Sequence, residues 1–274
     1  MCIRDRLILQ GQGPINLTQA MAFGDSGRNG AHHIRFDGIR ITNWGGVAVN
    51  IANTDIEFRN CRIDNNGKAL TPENQAGYGF YIGGSNVIVE KCELDYNGGY
   101  GIHQYSSGQT PSNNTYRYNI IHDNGQTISA NSADGILLGS GSSSLAYGNV
   151  IYKNSRGAGI SINYGCTGCK AWNNTVYANG AGIIVGASAS SSNIRNNIIY
   201  GNASAITNNG IGTSLSNNLT TDPKFVSEAN YEFRLQSTSP AINAGISILE
   251  VTTDIDGTPR PQGTAYDIGA YEYR

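Results

Sequence analysis

Tyr116-Arg-Tyr-Asn-Ile-Ile-His-Asp-Asn124 shares one frame with Phe58-Arg-Asn-Cys-Arg-Ile-Asp-Asn-Asn66 and Val89-Glu-Lys-Cys-Glu-Leu-Asp-Tyr-Asn97. The frame returns at 146–154, 171–179 and 194–202, decays at 215–222, and has an earlier copy at 36–44. Its fourth position holds Ile39, Cys61, Cys92, Asn119, Asn149, Asn174, Asn197 and Asn218, at spacings of 22, 31, 27, 30, 25, 23 and 21. A period in this range means stacked repeats, in which residues far apart in sequence become neighbours. Two residues after the fourth position, the six best units are always apolar (Ile63, Leu94, Ile121, Ile151, Val176, Ile199), and five residues after it they are always Asn. An amide repeated at one turn of every coil can hydrogen-bond to its copies above and below, which stabilises stacked strands as an Asn ladder.

Each unit is followed by a further strand: Gly77-Tyr-Gly-Phe-Tyr-Ile82, Gly99-Tyr-Gly-Ile-His-Gln104, Ala133-Asp-Gly-Ile-Leu-Leu138, Gly157-Ala-Gly-Ile-Ser-Ile162 and Gly180-Ala-Gly-Ile-Ile-Val185. Alternation turns Phe80, Ile102, Ile136, Ile160 and Ile183 inward. Three short strands per coil, stacked at about 4.8 Å, describe an all-β, right-handed parallel β-helix of about eight coils and roughly 40 Å. Composition agrees. Of 274 residues 36 are Gly, Asn is heavily used and only 14% are charged, which suits strands and turns and excludes helical bundles. Net charge is −2 with scattered Lys and Arg, so no footprint for nucleic acid exists. No apolar run reaches the length of a membrane span. Met1-Cys2-Ile3-Arg4-Asp5-Arg6 fits nothing that follows and reads as an adventitious leader on a remnant covering 1–31. Cys166 and Cys169 lack a second pair or nearby His for zinc, leaving a turn disulfide or two free thiols.

Over residues 32–220 the coils resemble the right-handed parallel β-helix repeat family, the architecture of pectate-lyase-like proteins. Residues 221–274 resemble the C-terminal segment of extracellular bacterial β-helix proteins, through Asp222-Pro-Lys-Phe225, Ser239-Pro-Ala-Ile-Asn-Ala-Gly245, Asp254-Ile-Asp-Gly257 and Tyr266-Asp-Ile-Gly-Ala-Tyr-Glu-Tyr273. A cap folding over the last coil is the physical role expected of that tail, because an open end exposes unpaired backbone. The resemblance implies an extracellular or periplasmic monomer that binds polysaccharide in a groove outside one sheet, beside the loops leading into it.

The outward positions of that sheet are Asn50, Tyr81, His103, Leu137, Ser161, Ile184 and Thr207, with Tyr105 and Asn163 two residues on. Long connections after Asn66 and Asn124 and an insertion at 106–113 flank the His103 coil, and long loops on a regular scaffold tend to carry function. On the preceding strand the third position reads Asp64, Asp95, His122, Tyr152, Tyr177 and Tyr200; the next position adds Asp123 and Lys153, and Asp134 stands at a loop-to-sheet corner. One candidate catalytic set follows: His103, Tyr81, Tyr105, His122, Asp123 and Asp134, with Asn50, Gln104, Lys153 and Asn163 contacting substrate.

A polysaccharide lyase or uronate epimerase would abstract the C5 proton of a uronate with His103 and a tyrosine as base and acid. Its carboxylate would be neutralised by Ca²⁺ on Asp123 and Asp134 or by Gln104. A glycoside hydrolase would use Asp123 and Asp134 as its carboxylate pair. A non-catalytic surface or adhesion β-helix is the third reading. Each residue also has an inert role: His122-Asp123 as a turn pair, Tyr152, Tyr177 and Tyr200 as a ladder and not a sugar platform, Asp64 and Asp95 as solvated carboxylates and not Ca²⁺ ligands. Arg59, Glu90, Arg117 and Arg195 share one outward column, an ordinary cross-strand device outside the site. His32 and His33 precede the first recognisable coil and carry no constellation.

Overall fold

The structure is a computed structural model that describes residues 7–10, 20–23, 32–68, 77–127 and 133–274. Inward-pointing apolar residues in each short strand force the chain to coil, and the coils stack into three parallel eight-stranded sheets. Sheet I holds Arg40–Thr42, Arg62–Asp64, Glu93–Asp95, Ile120–His122, Val150–Tyr152, Thr175–Tyr177 and Ile198–Tyr200. Sheet II holds Val49–Ile51, Phe80–Ile82, Ile102–Gln104, Ile136–Gly139, Ala158–Asn163, Ala181–Val185 and Ile206–Asn208. Sheet III runs from Ile34–Asp37 and Ile56–Arg59 to Ser214–Ser216. Ile8–Gln10 pairs with Arg40–Thr42 and Met21–Phe23 with Val49–Ile51, so strands from the segment that the sequence reading set apart as a remnant belong to the β-helix. Residues 1–6, the expected leader, lie outside the described residues.

The interior is a column of inward residues, with Phe58 packed between Phe36 and Phe80 at 4.7 and 5.0 Å. The expected Asn ladder is present. The Asn149 amide nitrogen donates to Asn174 Oδ1 (2.9 Å) and to the Tyr116 carbonyl (2.9 Å), while its own Oδ1 accepts from the backbone and side chain of Asn119. The column continues through Asn197 to Asn218, and upstream Cys92 and Cys61 stand in the same place as buried thiols. A second ladder runs through Asn66, Asn97, Asn124, Asn154, Asn179 and Asn202, giving physical meaning to the invariant Asn of the repeat. Before each ladder residue stands one in the left-handed region, such as Asn60, Lys91, Tyr118 and Asn173 on one corner and Asn65, Tyr96, Asp123 and Lys153 on the other. Gly148 takes this place above the Tyr118 ring, where a Cβ would lie 2.7 Å from the ring.

The tail does not close the last coil in the way expected. Its antiparallel pair, Phe225–Ser227 and Glu232–Leu235, lies along the side of the helix, where Phe233 packs on Tyr152 and Tyr177, each at 5.3 Å. The outer face of sheet I offers a column of tyrosines there, and covering it removes their apolar surface from water. Further along, the Asn173 side chain donates to the Asp267 carbonyl and Tyr118 Oη to the Thr253 carbonyl. The fully buried pair Arg260–Glu272 (2.6 Å) organises the tail itself. Cys166 and Cys169 form a disulfide.

Replacing Asn149 by Ala strands two donors of Asn119 and the Tyr116 carbonyl, and a loss of about 1–3 kcal/mol is expected. Urea denaturation of wild type and variant measures it; equal midpoints would remove the ladder from the account of stability.

Candidate functional site

Strand alternation puts Tyr81, His103, Leu137 and Ser161 in one outward column of sheet II, each paired directly with the next. Outward here is not exposed. His103 is only 8% exposed, because Tyr78, Tyr81 and Tyr100 cover it at centroid distances of 4.6, 5.1 and 4.4 Å, with Tyr105 at 5.8 Å. Burial with no compensating charge lowers its pKa to about 4, so the imidazole is neutral at pH 7, and its Nδ1 has no hydrogen-bond partner among the described residues. Burial likewise lifts Tyr78 to about 12 and raises Tyr81. The cluster extends through Tyr105 to Tyr164 (5.2 Å), which is 53% exposed. Beside it opens a cleft of about 430 Å³ whose lining includes Tyr100, Asp134, Arg156, Ser161, Asn163 and Tyr164. The Asp134 carboxylate accepts the Ala158 N–H at 2.7 Å, and Arg156 reaches the Thr127 carbonyl at 2.6 Å.

A second polar cluster occupies the outer face of sheet I. Asp64 and Asp95 are buried and each faces a guanidinium, Arg40 on Asp64 (2.7 and 2.7 Å) and Arg62 on Asp95 (3.2 and 2.8 Å). Burial works against ionisation at both. At Asp64 the bonds from Arg40, Asn65 and Thr42 win and its pKa is lowered; at Asp95 desolvation outweighs Arg62 and its pKa is raised. His122 follows in the column, its Nδ1 2.8 Å from Asp123 and its ring stacked 4.7 Å from Tyr152. Burial opposes its protonation, but Glu93 and Asp123 prevail and its pKa is raised. Lys153 pairs with Asp123 at 3.0 Å and lies over the tail residue Tyr231.

The three-sheet coil and both ladders now stand beside one further observation: the family described as right handed beta helix region matches residues 26–128 and 48–222. The chain belongs to the right-handed β-helix family. Among solved structures it is similar to a pectate lyase, Pel9A, at 15% identity and a TM-score of 0.45 over 94% of this chain and 86% of that one. It is also similar to the Dettilon tailspike protein, at 13% identity and a TM-score of 0.42, covering 81% of this chain and 57% of the tailspike chain. No curated protein matches the sequence.

In this β-helix the single site expected from sequence divides in two. Asn50, Tyr81, His103, Tyr105, Asp134 and Asn163 lie on sheet II or its margins. His122, Asp123 and Lys153 belong to the ion network of sheet I, so they do not complete a site with His103. Gln104 is a correction as well: it points inside the coil, fully buried, accepting from Asn114 Nδ2 and Tyr116 Oη and donating to the Gly139 and Ser140 carbonyls. Residue 102 points in and 103 out, so 104 must point in again. The alternative of Ca²⁺ on Asp64 and Asp95 meets carboxylates already filled by arginine, and Asp123, expected to share Ca²⁺ with Asp134, is held instead by His122 and Lys153. The expected loops after Asn66 and Asn124 fall largely on 69–76 and 128–132, outside the described residues. Tyr152, Tyr177 and the Arg59, Glu90 and Arg117 column have structural contacts, under the tail and in cross-strand pairs respectively.

Tyr78, Tyr100 and Tyr164 are the residues that sequence reasoning missed. The signal for two of them was the repeated Gly-Tyr-Gly at 77–79 and 99–101, where the small Gly99 lets the Tyr78 ring lie flat against the next coil; a Cβ at Gly99 would come within 2.9 Å of that ring.

The fold keeps His103 neutral to about pH 4, whereas the unfolded chain protonates it near 6.5. Between those values the unfolded state holds the extra proton, so stability falls as pH falls through that window, by on the order of 3 kcal/mol at full extent. His122, with its raised pKa, acts in the opposite direction. Comparison of wild type with His103→Phe isolates the first effect: the variant's unfolding free energy should decline less between pH 6.5 and 4. Parallel pH profiles would show that the imidazole is not held neutral.

Proposed function

We propose that this β-helix protein binds an extracellular polysaccharide along the outer face of sheet II, at the cleft beside the tyrosine cluster. The observation that carries the reading is the exposed ring of Tyr164, packed against the half-buried Tyr105, in a cleft that offers an amide, a hydroxyl, a carboxylate and one guanidinium. Pyranose C–H faces pack on aromatic rings, sugar hydroxyls suit Asn163 and Ser161, and Arg156 matches a uronate carboxylate in geometry and charge. His103 stands behind this lining, with its ring against Tyr100. The disulfide supports an oxidising compartment outside the cytoplasm.

Within that reading, the chemistry proposed is C5 proton abstraction from a uronate, as in a lyase or epimerase, with Arg156 neutralising the carboxylate. His103 is poorly suited to proton abstraction, because it is covered by tyrosines and a base with pKa about 4 has little driving force at neutral pH. Tyr164, which lines the cleft, and Tyr105, packed against it, are then the proton-transfer candidates. A hydrolase with Asp123 and Asp134 is disfavoured because Asp123 is held in the sheet I network.

Affinity electrophoresis against neutral and uronate polysaccharides tests binding. Tyr164→Ala should weaken all binding, and Arg156→Ala should weaken uronate polymers selectively, by about 1–3 kcal/mol. Retention of no polysaccharide by wild type would overturn the reading. Growth of ultraviolet absorbance from unsaturated product in the same mixtures separates a lyase from a binder or epimerase.

A further inference from the structure

We propose that the corner leading into the first strands of sheet III binds a divalent cation of the Zn²⁺ class through His32, His33 and Asp55. The sequence gives the two histidines no partner; coil stacking supplies one. Ile34 pairs with Ile56, so His33 and Asp55, each immediately before its strand, occupy the same corner one coil apart. Both are in the left-handed region (φ 59° and 60°), as is Asn86 on the next coil (φ 55°). One ligand atom from each of His32, His33 and Asp55 lies within 4.8 Å of the others. Donors around one tetrahedral ion stand roughly 3.3 Å apart, so small rotations of two exposed imidazoles complete the set.

The carboxylate is already oriented: Thr54 Oγ1 donates to Asp55 Oδ2 (3.0 Å) and Asn86 Nδ2 to Oδ1 (3.1 Å), leaving a lone pair on each oxygen for an ion. The nearby Arg35 is paired with Glu57 at 2.6 Å, which offsets its repulsion of a cation. The concavity there, about 490 Å³ and lined by His33, Asp55, Asn86 and Glu57 among others, leaves room for water at a fourth position. Two imidazoles and one carboxylate suit Zn²⁺ or a similar first-row ion and not Ca²⁺, which takes six to eight oxygens. The other such grouping among the described residues, Glu93, Asp95 and His122, is engaged by Arg62 and Asp123. An ion at the corner would tie two successive coils and stabilise them by linkage.

The test is calorimetric titration of the tag-free full chain with Zn²⁺ in a non-chelating buffer, with thermal unfolding in excess Zn²⁺ or EDTA. One equivalent should bind and raise the unfolding midpoint. His33→Ala and Asp55→Asn should each weaken binding by on the order of tenfold or more and remove the shift. His33→Gln serves in place of any Ala variant that fails to fold. His122→Ala should leave the affinity unchanged. Absence of saturable binding by wild type, unaltered affinity in the His33 and Asp55 variants, or loss of binding in His122→Ala would each overturn the proposal.

Discussion

Every coil must turn three times inside a nearly dry stack, and each turn would leave backbone donors buried without partners. The structure meets this with a repeated two-residue device: one residue in the left-handed region reverses the chain, and the next side chain accepts the backbone N–H of the neighbouring coil. A non-glycine residue pays roughly 1–2 kcal/mol for that conformation, while a buried unpaired N–H costs about as much. The device therefore succeeds only when it is repeated, each Asn serving the coil on either side. Asn suits both halves, tolerating the left-handed turn and offering donor and acceptor together. That explains a chain rich in Asn and Gly and poor in charge.

Once coils are locked in line, each outward position becomes a column, and the three columns are used differently. On sheet III alternating charges pair along the column, as in Arg59, Glu90 and Arg117. On sheet I buried carboxylates and guanidinia occupy the early coils, and the tail covers the tyrosines of the later ones. Sheet II carries tyrosines that bury an imidazole but leave a cleft beside it. The outside of a sheet is thus often a second interior, which is why sheet position alone does not predict access.

This also marks how far the sequence could be read. Repeats at 58–66, 89–97 and 116–124 placed coils, ladder and alternation, because those follow from periodicity and steric rules along one strand. Tyr81 and His103 were placed as neighbours on the same grounds. Gln104 was misassigned by proximity to His103 in the chain, against the alternation that otherwise held. His122, Asp123 and Lys153 were joined to His103 because a repeat fixes height along the axis but not which candidates share a face. The tail's docking surface and the meeting of His33 with Asp55 depend on contacts between coils and segments that no local pattern encodes.

The burial of His103 bears on what chemistry this face can perform. A histidine kept neutral by four surrounding tyrosines is poorly matched to proton transfer, yet an unpartnered nitrogen in a buried wall costs stability that a purely structural position would avoid by using Phe or Leu. Leu137, one coil on in the same column, shows that the site accepts an apolar residue. An external partner could reach that nitrogen only if the tyrosines over it moved, because the atom is buried and does not line the cleft. The proposed recognition of a hydroxylated ligand therefore rests on Ser161, Asn163 and Tyr164, which line the cleft, and not on the imidazole.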